Sequence, residues 1–167
     1  MRLTSLVATA LTLATMIAVA LPSTGCPSDD KKCSDYAPPT SFDPNTPATS
    51  FEKDVFPIFK FSCAFTSCHG TQSGSSNGVF LGGEDAKTVR TGLVDQPAPE
   101  LTAMPLVKPG DPHGSYLMRK MDGSHCLLDA QCTDGSCGDS MPHNEDTLDV
   151  ATRDVVRRWI AQGAPDN

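Results

Sequence analysis

The sequence contains few of the patterns by which enzymes and nucleic-acid-binding proteins are recognised. It has no nucleophilic-serine motif, no phosphate-binding loop and no paired catalytic carboxylates, so no constellation of side chains indicates hydrolysis. Alternating apolar and polar residues, which predict strands, are scarce, and no internal repeat is evident. Only 13 lysines and arginines stand against 20 aspartates and glutamates, and the net charge of −7 argues against binding to nucleic acid.

Residues 1–25 predict a secretory signal peptide. Their one charged residue is Arg2, and an apolar run of about 16 residues from Leu6 to Leu21 follows it. A membrane-spanning helix needs roughly 20 such residues, so we favour a cleaved signal over a retained anchor. We therefore expect an exported protein of the periplasm or the cell envelope.

Cys26 marks the end of this segment and introduces a second interpretation. Thr24, Gly25 and Cys26 resemble the end of a bacterial lipobox, in which the cysteine is acylated and becomes the first residue of the mature protein. Ser23 departs from that pattern because leucine usually stands at its position, and cleavage after Ala20 is the rival prediction. If Cys26 is lipidated, it attaches the protein to a membrane.

The remainder of the chain divides into a linker and one small domain. Residues 26–48 are rich in proline, serine, threonine and aspartate and have almost no aliphatic side chains, which predicts a flexible linker. Residues 49–167 suffice for one domain, which carries a cysteine-rich insert at 125–140.

Amphipathic patterns predict helices at both ends of this domain, and Asp111 with Pro112 predicts a further short helix that runs to about Met121. Pro57 lies inside the first helix and predicts a kink or a short first turn. The apolar face of the first helix comprises Phe51, Val55, Ile58 and Phe59. The last helix has the apolar residues Leu148, Val155, Val156, Trp159 and Ile160, and the polar residues Arg153, Asp154, Arg157 and Arg158. The fold class we expect is mainly α, with long loops.

Cys63, Cys68 and His69 lie together in the ten residues 61–70, with the spacing Cys-x4-Cys-His. The usual haem attachment motif is C-x-x-C-H, so this sequence is a variant with two extra residues between the thiols. Each thiol can add to one vinyl group of haem to form a thioether, and the adjacent histidine can ligate the iron. A small disulfide loop or a zinc site would use the same residue types.

The order of these features resembles class I c-type cytochromes, and most closely the bacterial planctomycete-type cytochrome c domain, over about residues 51–164. The matching segments are Asp54–Phe59, Cys68–Gly70, Val107–Pro112, Ser115–Leu117, Met141–Pro142 and Trp159–Ala164. The resemblance implies one haem c attached covalently through Cys63 and Cys68, with His69 as the proximal iron ligand. It also implies that the first and last helices pack together at the haem edge.

The resemblance implies that Met141, just before the last helix, is the distal iron ligand. Met104 is the rival methionine because it also precedes a proline. A histidine in place of methionine would lower the reduction potential, whereas His/Met ligation raises it. The histidine alternatives are His113, His125 and His143. Candidates for the wall of the haem pocket are Leu81, Leu106, Tyr116 and Trp159.

Four further cysteines predict disulfides because export to an oxidising compartment favours them. They allow two disulfides in any of three connectivities: Cys33, Cys126, Cys132 and Cys137. Cys26 is an alternative partner for Cys33 if it carries no lipid. Zinc bound by the cysteines of the insert together with His125 is the other alternative.

The sequence therefore predicts an exported monohaem c-type cytochrome, an electron carrier rather than an enzyme. We expect a monomer that exchanges electrons with redox protein partners. One alternative is a haem-containing peroxidase or oxidoreductase module, which needs an open or displaceable distal position. The other alternative is a haem-free surface lipoprotein stapled by disulfides.

Overall fold

The computed structural model describes residues 33–167, and these residues confirm the predicted mainly α fold. A π-helical turn at Phe51–Val55 leads into α1 (Phe56–Ser62), and α2 (Ala86–Thr91), α3 (Tyr116–Met121) and α4 (Val150–Ala161) follow. Short 3-10 turns occur at Ser76–Gly78, His125–Gln131 and Thr133–Gly135. Within residues 33–167, β pairing is limited to two isolated bridges, Val94 with Val107 and Pro97 with Pro105. The predicted signal peptide and Cys26 lie outside the described residues.

Among these residues, no helix combines the length and the apolar character that crossing a membrane requires.

Pro57 makes the start of the first helix irregular because it has no backbone N–H. It lies in the first turn of α1, where proline is tolerated. Because Pro57 cannot donate to the carbonyl of Lys53, the regular helical ladder is interrupted at that point. The preceding turn has the wider π form, in which the N–H of Phe56 reaches back to the carbonyl of Phe51.

The first and last helices meet through Phe51 and Trp159, whose ring centroids lie 4.8 Å apart. Both side chains are buried, and the rings of Phe56 and Phe59 pack on Phe51 from α1. Aromatic pairs at such separations add stability beyond the area that they bury. The first and last helices therefore pack together, as the resemblance implies.

The polar face of α4 is more buried than its pattern predicts. Arg153 and Arg157, which belong to the polar face of this helix, are both buried. The carboxylate of Asp122 accepts hydrogen bonds from both guanidinium groups. The ring of Tyr36 covers them, with its centroid 4.5 Å from the guanidinium carbon of Arg153 and 5.1 Å from that of Arg157. This polar side of α4 is buried because a segment distant in sequence lies over it.

The segment predicted as a linker is described from residue 33 onward, and this part lies against the domain without forming a helix. The N–H of Ser34 donates to the carbonyl of Gly123 at 3.0 Å. Further along, the Nε2 of Gln162 donates to the carbonyls of Pro44 and Pro47. The packed unit therefore begins well before residue 49.

Two disulfides join Cys33 to Cys126 and Cys132 to Cys137, which confirms the prediction that these four cysteines form disulfides. The first fixes residue 33 to the start of the 3-10 turn at His125–Gln131, and the second closes the insert on itself. With Cys33 paired in this way, the alternative pairing with Cys26 does not apply. The sulfurs of the insert are also not thiolates, so the insert is not arranged as a zinc site.

Candidate functional site

A cavity of about 570 Å³ lies between the loop that follows α1, one side of α3 and the chain from residue 138 to 145. Its lining brings together Cys63, Cys68, His69 and Met141. Cofactor sites are typically about 300–1,000 Å³, so a prosthetic group is a suitable occupant by size. Met104, the rival methionine, is not among the lining residues and packs against the hydrophobic core instead.

The loop between the two cysteines folds back on itself, and this absorbs the two extra residues of the motif. Cys63 ends α1, and its N–H donates to the carbonyl of Phe59 at 2.9 Å. The N–H groups of Cys68 and Gly70 both donate to the carbonyl of Phe65, which makes a tight turn. The N–H of His69 then donates to the carbonyl of Cys63 at 3.3 Å. Both cysteines are free thiols, so the structure does not contain the alternative small disulfide loop.

Two glycines allow a second stretch of chain to approach this loop. A β-carbon on Gly70 would overlap the carbonyl oxygen of Ala64, and one on Gly82 would lie 2.8 Å from the carbonyl oxygen of Gly70. The absence of both β-carbons lets the N–H of Leu81 donate to the carbonyl of His69 at 2.9 Å. Residues 79–82 consequently run directly beside the Cys-His loop.

This approach fixes the histidine ring. The Nδ1 atom of His69 lies 2.8 Å from the carbonyl oxygen of Val79. A carbonyl oxygen can only accept, so Nδ1 carries a proton, and in the neutral ring the lone pair is then on Nε2. Histidine ligands of metals commonly donate their other ring N–H to a backbone carbonyl in this manner. His69 therefore has the tautomer that iron ligation through Nε2 needs.

Burial, and secondarily the neighbouring Cys68, raise the pKa of the Cys63 thiol to about 11. Cys63 is consequently a neutral thiol at physiological pH. A catalytic cysteine or a zinc ligand needs the thiolate, so this environment does not favour either role.

The three alternative histidine ligands have different surroundings. His143 lines the same cavity as Met141, is half-exposed and lies 3.1 Å from the carboxylate of Asp139. His113 hydrogen-bonds to Arg119 beside a different cavity. The Nε2–H of buried His125 donates to the carbonyl of Gly138. Only Met141 and His143 of the distal candidates thus lie on the lining.

Three polar residues on the lining have no role that the sequence indicates: Asn77, Glu100 and Lys120. The Nδ2 of Asn77 donates to Glu100 at 2.7 Å, and the ammonium of Lys120 lies 3.6 Å from the same carboxylate. Burial lowers the pKa of Lys120, and Glu100 opposes that effect. In the sequence, the helical spacing of α3 places Lys120 on the inward side of the helix. Its proximity to Glu100, which is distant in sequence, arises only from the fold.

The predicted wall residues fall into three groups, and Trp159 lines neither cavity. Leu81 lines the large cavity. Leu106 and Tyr116 line a smaller cavity of about 50 Å³, to which His69 and Met141 also contribute. Trp159 is fully buried and packs against Phe51.

Comparison of the chain with protein-family models, with curated proteins and with solved structures found no match. Residues 33–167 contain no group of three or more histidine, cysteine, aspartate and glutamate side chains placed to hold a metal ion. Cys63, Cys68 and His69 are of these residue types, so their side chains are not placed to share one metal ion.

Proposed function

We propose that this chain is an exported monohaem c-type cytochrome that carries electrons. Cys63 and Cys68 attach haem c through thioethers, His69 is the proximal iron ligand and Met141 is the distal ligand. The observation that carries the proposal is the single cavity of about 570 Å³ lined by all four residues. These residues come from two segments more than 70 positions apart, so their meeting is a property of the fold.

The donor set fits the group. Two free thiols, one imidazole with its Nε2 lone pair retained and one thioether are what a covalently attached, six-coordinate haem requires. When bound, haem c supplies a one-electron couple between ferric and ferrous iron. His/Met ligation favours the ferrous state and so raises the reduction potential.

The surrounding residues hold these donors in place. The carbonyl of Val79 fixes the ring of His69, and the backbone of Cys63 fixes the loop that carries it. Leu81, Leu117 and Met121 supply apolar surface to the lining and exclude water. A drier environment also favours the less charged ferrous state.

The direct test is covalent haem on the purified chain. Expression in a bacterium with a cytochrome maturation system should give a band that retains haem staining after denaturing electrophoresis. Intact mass should rise by one haem, and replacing Cys63 and Cys68 by serine should remove the increase. A colourless, unmodified wild-type protein would refute the proposal and leave the disulfide-stapled, haem-free lipoprotein as the better interpretation.

The histidines offer a matched control for iron ligation. His69→Ala should abolish the low-spin spectrum, whereas His113→Ala, which alters a histidine beside another cavity, should retain it. Equal effects of the two substitutions would contradict the assignment of His69.

One observation favours a peroxidase or other oxidoreductase as the second candidate. His143 lies beside Met141 on the same lining, and Asp139 lies 3.1 Å from its imidazole. If Met141 left the iron, His143 would be placed to act as a base. Rapid cyanide binding by the resting wild-type protein would favour this function, and negligible binding favours the electron carrier.

Export and partners complete the proposal. The two disulfides are typical of an oxidising compartment, which is also where c-type haem is attached. We propose that residues 1–25 direct export and that a lipid on Cys26 attaches the protein to the membrane. Labelling with a radioactive fatty acid tests the anchor, since a Cys26→Ser variant should lose the label.

The acidic net charge of −7 suits a basic redox partner.

A further inference from the structure

Lys120 contacts both ends of the segment 137–141, which carries Met141 to the cavity. Its ammonium donates to the carbonyl of Cys137 at 2.5 Å. Its own backbone carbonyl accepts the N–H of Met141 at 3.0 Å. A single residue of α3 thus fixes the start and the end of a five-residue segment.

A gain in the stability of the fold does not explain why Lys120 is buried. Only 6% of Lys120 is exposed, and burying a charge is costly unless its pairing is nearly complete. Its pairing here is partial, because Glu100 lies 3.6 Å away and the Tyr116 ring centroid lies 5.6 Å away. An apolar side chain of similar length would avoid the cost, so a role in specifying a local arrangement is the better explanation.

The arrangement specified is the path of the chain towards Met141. The hydroxyl of Tyr116 also donates to the carbonyl of Cys137, at 3.1 Å, so α3 holds this oxygen with two donors. The disulfide with Cys132 restrains the same residue from its side-chain end. At Gly138, a β-carbon would lie 3.4 Å from the ammonium of Lys120, so the chain passes closely over the lysine.

We propose that Lys120 is a positioning residue for the distal ligand: its ammonium holds the segment 137–141 so that the thioether of Met141 stays at the cavity. Methionine is a weak ligand for ferric iron, and a weak ligand depends on the rigidity of the loop that presents it. The inference rests on the proposed function, because it concerns the ligand of the haem proposed there.

The test compares Lys120→Leu with wild type in the haem-loaded full chain. Leucine is apolar, removes the charge and the donor, and adds no sulfur to the cavity lining. Covalent haem should be retained, because the attachment residues lie elsewhere. The sulfur-to-iron charge-transfer band of the ferric protein should be lost or halved at least, and cyanide binding should become at least tenfold faster.

Two further variants separate positioning from general packing. Lys120→Arg retains a charge and donors and should preserve the band. Lys60→Leu removes a lysine that pairs with Glu84 on the surface and should change neither the band nor cyanide binding.

The outcomes are distinguishable from those of the proposed function. A wild-type chain without haem overturns the proposed function and this inference with it. A haem-loaded Lys120→Leu protein with a normal band and normal cyanide binding overturns this inference alone, even if its stability is lower. If Lys120→Leu does not fold, Lys120→Gln decides, since its shorter, neutral amide removes the ammonium that donates to the carbonyl of Cys137. A weakened band in Lys120→Gln supports the inference, and an unchanged band overturns it.

Discussion

The imidazole of His69 and the carbonyl of Val79 meet at 2.8 Å, and this contact joins the two stretches of chain that frame one side of the cavity. It fixes both the orientation and the tautomer of the proposed proximal ligand. The contact depends on the close approach of residues 79–82 to the Cys-His loop. That approach in turn depends on Gly70 and Gly82.

Gly70→Ala should therefore destabilise the loop, because its β-carbon would overlap the carbonyl of Ala64. Overpacking of this kind costs about 1–3 kcal/mol in the free energy of unfolding, which urea denaturation measures. Gly74→Ala is the matched control, since its β-carbon would meet only the hydroxyl of Thr71 at 3.5 Å. Equal stability of the two variants would show that the loop is not closely packed at Gly70.

Met141→Ala should abolish the sulfur-to-iron charge-transfer band of the ferric protein and lower the reduction potential, because a thioether favours ferrous iron. Met104→Ala removes the rival methionine, which packs on the core outside the large cavity, and should leave the band intact. Visible spectroscopy and a redox titration check both variants. Loss of the band in Met104→Ala alone would reverse the assignment.

Asp122→Ala should be among the most destabilising substitutions at buried positions of the domain. The carboxylate of Asp122 pairs with Arg153 and Arg157. The substitution leaves these two buried guanidinium groups without their shared carboxylate partner. Breaking a buried pair in this way costs about 3–5 kcal/mol. Glu84→Ala breaks the exposed pair with Lys60 and should cost less than about 1 kcal/mol in the same urea titration. Similar costs would mean that the Asp122 cluster is solvated.

The two disulfides should contribute unequally to stability. They join residues 93 and 5 positions apart. The chain-entropy relation gives about 4.6 kcal/mol for the longer loop and about 2 kcal/mol for the shorter one. Replacing Cys33 and Cys126 by serine should therefore lower the denaturation midpoint more than replacing Cys132 and Cys137. The reverse order would show that the short loop acts mainly on the native state.

His125 should make the stability of the domain depend on pH. Burial, and then Lys120, lower its pKa below the ordinary 6.5, against the opposing effects of the Gly138 carbonyl, Asp129 and Asp139. Its Nδ1 atom is buried without a hydrogen-bond partner, so a proton added there would have no acceptor. The unfolded chain then binds more protons than the folded one below pH 6.5.

The contribution of His125 to stability is therefore complete above about pH 6.5 and is lost as the pH falls through the depressed folded pKa. His125→Gln keeps an N–H donor for Gly138 but cannot titrate. Urea denaturation between about pH 5 and pH 8 should show a shallower decline for the variant at the acidic end. Parallel curves for the two proteins would contradict the prediction.

The sequence predicted the elements whose signals are local. Apolar spacing located the first and last helices, and Pro57 indicated an irregular first turn. The short helix α2 had no such pattern and was missed, although Asp85 caps it through its side chain. The helix α3 begins at Tyr116, later than Asp111 and Pro112 suggested, because those residues form a turn of their own.

Local sequence patterns predicted only part of the candidate site. Cys63, Cys68 and His69 are neighbours in sequence, so their proximity needed no fold. Met141 and Met104 both precede a proline, so the sequence does not distinguish them. The structure does, because only Met141 of the two lines the cavity. Glu100 and Lys120 carry no motif, and they became part of the site through packing alone.

By itself, the sequence determined the helical periodicity, the cysteine-histidine cluster and the acidic charge, because each depends on residues close together along the chain. The tertiary structure decided which cysteines pair, which methionine reaches the cavity and why three basic side chains, Lys120, Arg153 and Arg157, are buried. These outcomes depend on contacts between segments tens of residues apart. Side-chain burial and pairing arise only when such segments pack, and no local pattern encodes them.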